Sequence, residues 1–530
     1  MLRGGFMAGE SGLMRCLRPP GNPRRFLCLF DNGCHTMFPD MSCMPRPKPR
    51  GGMARRRLGW LCLTLFIASF GIEAGADDSA TWQAGAARRV ITPRTPMWMA
   101  GYASRNHPAV ATSTDLYCKT LFLKDPAGHA GLVITLDLVG ISRSLADDWC
   151  RWIGKRFGLD RSQIVINVSH THSGPVVADN LSSLHMWQLE ATQREHLRRY
   201  AGWLTEQVRS AVAEAVESTE PVHLSWGSGT ASFAVNRRNN RPESEVPARR
   251  RNGTLKGPQD HDVPVLAVWR GASPSDMAGG SGKPARHQLK AVLFGYACHA
   301  TVLSWYYWSG DYPGHAQRLL EQRYPGAVAL FWAGCGGDQN PLPRRRIELA
   351  QQYGMQLADA VDQTLQGELH PVRGTLLTRF TTTELAFAEV PTREQVERER
   401  ASTNRYVAAR ARMWLARLDQ GESLPATYPY PIGYWRFGDQ VEWFTLGGEV
   451  VVDYALLMKS ERRGKATWVA GYSHDVMAYI PSLRVLREGG YEGGGAMVYC
   501  GFFAPWRNDV ERTIVDAARK LARTGATKPD

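Results

Sequence analysis

Short apolar, β-branched runs alternate with amphipathic stretches along most of this chain. Leu132–Leu138, Ile164–Val168, Leu289–Tyr296, Val328–Trp332 and Thr467–Ala470 are bounded by turn residues, which predicts strands. Between them the apolar spacing turns helical at about 192–217, 313–324, 346–366, 393–418, 449–460 and 509–524. Thr192-Gln-Arg-Glu195 has the form of a capping box opening the first of these helices. Such alternation predicts an α/β fold with mixed sheet and flanking helices. Residues 238–260 and 272–287, rich in Arg, Gly, Ser and Pro, predict surface loops. No internal repeat and no strong linker divides residues 77–530, so they are expected to form one large domain.

One apolar run breaks this pattern. Met53-Ala-Arg-Arg-Arg57 leads into Leu58–Ile72, then into the small residues Ala74-Gly-Ala76. That order of basic, apolar and small residues predicts a secretory signal peptide over 53–76. The run is shorter than the ~20 residues a membrane-spanning helix needs. Residues 1–52 show no periodicity and are expected to be a mis-called start or a disordered extension. The mature protein is therefore expected to be exported, either periplasmic or secreted.

Composition changes the picture mainly through charge. The chain has 530 residues, 43% hydrophobic and 22% charged, which excludes disordered and fibrous classes. Its formal net charge of +14 suggests a polyanionic partner. Residues 1–76, however, carry 11 Lys+Arg against 4 Asp+Glu, so half of that excess lies outside the mature chain. No basic stripe remains, and nucleic-acid binding is not expected. Arg249–Arg251 and Arg344–Arg346 read as solvated faces. Five of the ten cysteines precede the cleavage point, and the other five form no C-x-x-C zinc knuckle.

The candidate chemistry sits at strand ends. His170 and His172 follow the strand Ile164–Val168 in His-Thr-His-Ser-Gly-Pro. Their spacing puts both rings on one side of an extended chain, and imidazoles so placed are common metal ligands. His299 follows a second strand, in Tyr-Ala-Cys-His-Ala-Thr. An isolated histidine there is more often a satisfied core residue. Two such sites in one α/β sheet favour a metal, because strand ends cluster in space. Gly336-Gly-Asp-Gln-Asn-Pro341 follows a third strand and lacks the Gly-Lys-Ser/Thr of a phosphate loop. Glu449, after Gly447-Gly448, reads either as a first-turn helix acid or as an anionic metal ligand.

Taken together, these motifs resemble the neutral ceramidases and their bacterial relatives. They are His170–Pro175, His299 in its motif, Gly337–Pro341, Gly447–Glu449, Ala478-Tyr-Ile-Pro-Ser482 and Gly490-Tyr-Glu-Gly493, in preserved order over roughly 84–525. The resemblance implies a catalytic domain with a zinc ion (Zn2+) held by His170, His299, Glu449 and Tyr479. It implies substrate and transition-state contacts from His172, Arg237 and Tyr491, the last twelve residues beyond Tyr479. The reaction implied is hydrolysis of a linear N-acyl amide, ceramide-like or another lipid or small-molecule amide, by zinc-activated water. A lipid substrate would bring peripheral membrane contact.

Two departures qualify the resemblance. Asn340 stands where ceramidases carry an active-site serine, and an amide cannot act as a nucleophile. The family also continues into a C-terminal immunoglobulin-like domain, whereas this chain ends at Asp530 soon after its last predicted helix. A catalytically idle zinc-containing binding protein and a zinc esterase on the same scaffold are the competing expectations. Substrate choice is expected to lie in loops such as 98–112, 176–190 and 420–440.

Overall fold

Eight strands build the larger sheet: β1 (Trp82–Val90), β2 (Tyr117–Lys124), β3 (Ala130–Leu136), β4 (Ile164–Val168), β5 (Glu220–Thr230), β6 (Asp262–Arg270), β7 (Leu289–Tyr296) and β8 (Val328–Ala333). Their order is β8-β7-β6-β5-β1-β2-β3-β4, with His370–Pro371 paired to β5. Only the outermost pairs, β7/β8 and β3/β4, are parallel. A second sheet runs β9 (Leu376–Ala386), β10 (Thr427–Phe437), β11 (Val441–Leu446), β12 (Ala466–Ala470). The structure is a computed structural model and describes residues 81–270, 288–462 and 466–523, all within the unit Ala74–Asp530. The expected extension 1–52, the signal peptide 53–76 and the loop 272–287 lie outside the described residues.

Alternation along the strands sets the layering. In β3, Leu132, Ile134 and Leu136 face one core, which they share with α1 (Arg143–Phe157), α2 (Ala191–Glu217), α3 (Asp311–Arg323) and α4 (Ile347–Gln366). Val133, between them, faces the opposite way. It joins Leu121, Leu293 and Trp332 against Trp435, Trp443 and Trp468 of the second sheet. The far face of that second sheet is covered by α7 (Val452–Glu461) and α8 (Val510–Arg523), through Tyr454, Ile514 and Val515. The result is four layers, helix–sheet–sheet–helix. Each buried aliphatic side chain contributes about 1.5–3 kcal/mol relative to exposure.

The five predicted strands and the helical stretches are present, with differences that have physical causes. The predicted 393–418 helix is two helices, α5 (Arg393–Glu399) and α6 (Arg405–Leu418); Asn404 caps the second by accepting from Tyr406 N at 3.0 Å. The box opening α2 uses Glu190 and Gln193, not Thr192 and Glu195: Gln193 Oε1 accepts from Glu190 N at 3.3 Å. The predicted 449–460 helix begins only at Val452. Loop 238–260 holds a short helix, Val246–Arg251, and much of 420–440 is strand β10. Pro429 and Pro431 hide that strand from sequence patterning, since proline is unusual within a sheet.

The two edges of the larger sheet come back together. Ala333 N, at the end of β8, donates to Asn167 Oδ1 on β4 at 2.8 Å. Asn167 Nδ2 donates to Gly471 O at 2.8 Å and to Ser473 Oγ at 3.1 Å. This fully buried amide thus reinforces the backbone bonds that join the three segments, Gly471 N to Ala333 O at 3.1 Å and His474 N to Ile166 O at 2.7 Å. Asn167→Ala is expected to lower unfolding stability by roughly 1–3 kcal/mol, because it leaves the buried Ala333 N–H without an acceptor, while Gly471 O keeps the Ser473 hydroxyl at 2.9 Å. Urea denaturation measures this directly.

Candidate metal centre

Closure of the sheet edges brings the ends of β4 and β7 to one place. His170 sits just past β4 with φ 58°, a left-handed conformation costly for a non-glycine residue. Tyr472 (φ 49°) and His474 (φ 65°), on the facing loop, share it. His170 Nδ1 lies 2.5 Å from Val139 O, and His299 Nδ1 lies 2.6 Å from Gly336 O. Each carbonyl can only accept, so each ring carries a proton on Nδ1, and in the neutral form the Nε2 lone pair faces inward.

The oxygen donors come from another short pairing. Glu449–Val450 runs parallel to Tyr479–Ile480 with Glu449 in register with Tyr479. Glu449 is therefore in an extended segment and not in the first turn of a helix; α7 starts three residues later, with Val452 N donating to Asp338 Oδ1 at 2.9 Å. Gly337 makes room for this segment. A Cβ there would lie 2.6 Å from Glu449 O, and Gly337 N donates to Val450 O at 2.8 Å.

The donor atoms converge. Glu449 Oε2 is 3.1 Å from His170 Nε2 and 3.1 Å from His299 Nε2. Tyr479 OH is 3.2 Å from His299 Nε2. His172 Nε2 is 3.1 Å from His170 Nε2, so His172 also faces this point, and His170, His172 and His299 alone could hold an ion. With both rings neutral, two lone-pair nitrogens against a carboxylate oxygen are mutually repulsive unless a cation lies among them. Ligands at ~2.0–2.1 Å in a tetrahedron stand about 3.3 Å apart, close to the spacings found. Backbone carbonyls orienting the far ring nitrogens complete the usual surroundings of metal-binding histidines. The donor set therefore fits a metal ion.

The surroundings shift the titration of several of these groups. Burial, reinforced by Arg237, holds His299 down to about 4, and burial with the neighbouring imidazoles keeps His172 well below the ordinary histidine range. Burial pushes the Glu449 carboxyl up, but His170 and His299 outweigh it and hold it well below the carboxylate range. Burial raises the Tyr479 phenol well above 10, against the opposing pull of Arg237. A metal ion would supply the charge needed to ionise it.

Behind the donors stands an arginine with every arm placed. Arg237 Nε donates to Glu492 Oε1 at 2.7 Å, Nη1 to Asn340 Oδ1 at 3.3 Å and Nη2 to Tyr479 OH at 3.1 Å. Gln339–Pro341 pairs antiparallel with Ala234–Asn236, Asn340 opposite Val235, which positions both residues. Tyr491 lies at the rim, 45% exposed, its ring 5.3 Å from that of Tyr479. All eight residues singled out from sequence thus fall in one cluster. Asn167, Asp338, Tyr472 and Glu492 were not singled out. Glu492 directly follows Tyr491 in one motif and Asp338 lies within Gly337–Pro341, which was the available signal; Asn167 clamps backbone, and Tyr472, whose ring lies 4.5 Å from that of His170, stands in no motif.

One flanking group sets a pH dependence. Burial raises the Asp475 carboxyl to about 7, although Tyr428 donates to it. Its folded pKa lies above the ~3.9 of an unfolded aspartate, so its contribution is complete below pH ~4 and is lost as pH rises towards 7. Asp475→Asn is expected to exceed the wild type in stability at pH 8 and to match it near pH 4. Urea midpoints at the two pH values check this.

No protein-family model matches the chain, and no curated protein matches it. Solved structures do. Neutral ceramidase from Pseudomonas aeruginosa superposes with a TM-score of 0.60 at 16% identity, covering 84% of this chain and 74% of that one. A ceramidase complexed with C2 gives a TM-score of 0.60 at 14% identity, covering 85% and 77% respectively. At such identities the likeness is one of architecture, and this chain has a ceramidase-like fold.

Proposed function

We propose that this protein is an exported zinc-dependent amidase that cleaves the N-acyl bond of a lipid-like amide. The observation that carries the reading is the convergence of His170, His299, Glu449 and Tyr479, with Arg237 fixed directly behind Tyr479. The ceramidase-like fold supports the same class of reaction. Two neutral imidazoles, a carboxylate and a phenol oxygen, without thiolate, suit zinc. When bound, zinc supplies Lewis acidity that draws the pKa of water down towards ~7.

The chain's own residues do the remainder. His172, neutral and facing the centre, accepts a proton at an imidazole nitrogen and returns it to the leaving amine. Arg237 spends three of its five N–H groups on fixed partners, which leaves one on each terminal nitrogen for the developing oxyanion. Tyr491 offers a hydroxyl from the rim. Asn340 orients Arg237 through its carbonyl oxygen; it supplies no nucleophile, so the route is direct hydrolysis and not acyl transfer to the chain. Export rests on the segment 53–76.

Purified protein supplied with zinc is expected to release fatty acid and amine from N-dodecanoyl amides. Release from matched esters alone would make it an esterase. Binding of these compounds without release from either would make it an idle binding protein.

A further inference from the structure

Beside the metal centre lies a cavity of about 210 Å³ lined by Trp98, Tyr102, Arg105, His185, Gln188 and Arg405, among others, and by no carboxylate. Arg105 is only 6% exposed. Its terminal nitrogens donate to backbone carbonyls, Ala100 O and, at 3.1 Å, Trp305 O. Among the described residues neither Arg105 nor Arg405 forms an ion pair with an acid. Two buried donors, Arg105 Nε–H and Trp98 Nε1–H, have no partner. His185 Nε2 accepts from Gly101 N at 3.2 Å, and burial holds the ring down to about 3, so it stays neutral with its proton on Nδ1.

A buried guanidinium without a counter-charge is expensive, as is a buried N–H without an acceptor. Burial brings Arg105 down only to about 10, so it remains charged at neutral pH, and no carboxylate acts on it. The Tyr102 and Tyr306 ring centroids lie 4.9 and 6.0 Å from the guanidinium carbon, and the missing complement is a negative charge, which a small anion would supply. The cavity also adjoins the chemistry. Tyr102 forms one of its walls and meets the His172 ring edge-on, at 4.7 Å between centroids. Gly101 (φ +96°) lets this segment approach, since a Cβ there would lie 2.5 Å from the His172 ring.

We propose that this cavity is a carboxylate-binding subsite, and that the amide substrate carries a carboxylate near its scissile bond. The substrate half of this inference rests on the amidase reading above; the binding half does not. It points away from a neutral lipid amide and towards an acidic one. The carboxylate could belong to the amine half, as in an N-acyl amino acid, or to the acyl half, as in a dicarboxylic monoamide. The Arg105 guanidinium is its charge partner, and Arg405 supplies a second positive charge at the cavity wall.

The test compares kcat/KM within two pairs. N-dodecanoylglycine is set against N-dodecanoylglycinamide, and N-dodecylsuccinamate against its terminal amide. A preference for the acid of roughly 10- to 100-fold in one pair is expected, and that pair identifies the half that bears the charge. Arg105→Gln should collapse the ratio. Arg405→Gln, at an exposed position of the cavity wall, should reduce it several-fold without the folding risk of a change at the buried arginine. Equal rates within both pairs would overturn the subsite while leaving the amidase standing. Should no amide turn over, calorimetric titration with the same compounds decides. Binding of an acid but not its amide, weakened by Arg405→Gln, upholds the subsite; equal binding, or none, overturns it.

Discussion

His299→Ala is expected to strip the purified protein of most of its metal and to lower amide hydrolysis on the order of a thousandfold. His299 is fully buried, with one nitrogen 2.6 Å from Gly336 O and the other 3.1 Å from Glu449 Oε2. Its removal leaves three of the proposed donors. Lewis-acid stabilisation of the transition state is worth several kcal/mol, and each 1.36 kcal/mol is a tenfold change in rate. The same variant should lose the stabilisation that zinc confers on the folded state, so its melting temperature should no longer respond to added zinc. His172→Ala is the informative contrast. Cast as a proton carrier, His172 should affect kcat and leave metal content intact. Loss of metal in both variants would instead make His172 a ligand.

Arg237→Ala should lower kcat by about a hundred- to a thousandfold, with a much smaller change in KM, as expected for a donor that acts on charge developing in the transition state. Arg237→Lys should recover little. An ammonium cannot reach Glu492, Asn340 and Tyr479 at once in the plane that the guanidinium occupies. The loss has a structural component, because Glu492 is 2% exposed and would retain only Arg238, whose Nη1 stands 2.6 Å away. Steady-state kinetics together with a thermal melt separates the two. A fall in kcat at an unchanged melting temperature assigns the effect to chemistry.

Sequence and structure agree most closely where signals are local. β4 and β7 were readable from β-branched runs, and the eight candidate residues could be named because each stands at the end of such a run or inside a short motif. What sequence could not show is why those ends meet. β4 and β8 are the two outermost strands of a sheet eight strands wide, and they meet through the segment 471–474: Gly471 N donates to Ala333 O at 3.1 Å and His474 N to Ile166 O at 2.7 Å, with the Asn167 side chain reaching Ala333, Gly471 and Ser473. Nothing in the spacing of 167 and 333 encodes that contact. The placing of Glu449 is a similar case. Two glycines before a polar residue and an apolar run suggest a helix start, yet register with Tyr479 fixes Glu449 in an extended pair. The pairing of Trp332 and Trp443 across the two sheets likewise reflects packing between distant segments, 5.6 Å between ring centroids, and not any periodicity.

The architecture and the donor cluster are separable facts, and the proposed activity joins them. A fold can outlive its chemistry, so likeness to ceramidases does not by itself make this chain a catalyst. The donor geometry is the stronger warrant. It gives a reason for the left-handed backbone at His170, for the carbonyl partners of both imidazoles and for the close approach permitted by Gly337.

Metal content is therefore the most direct measurement. Elemental analysis of purified protein, after exposure to zinc and exhaustive dialysis, is predicted to find about one zinc per chain, falling to near zero in His170→Ala and Glu449→Gln. Protein that retains no metal, or that retains as much in those two variants as in the wild type, would contradict the account.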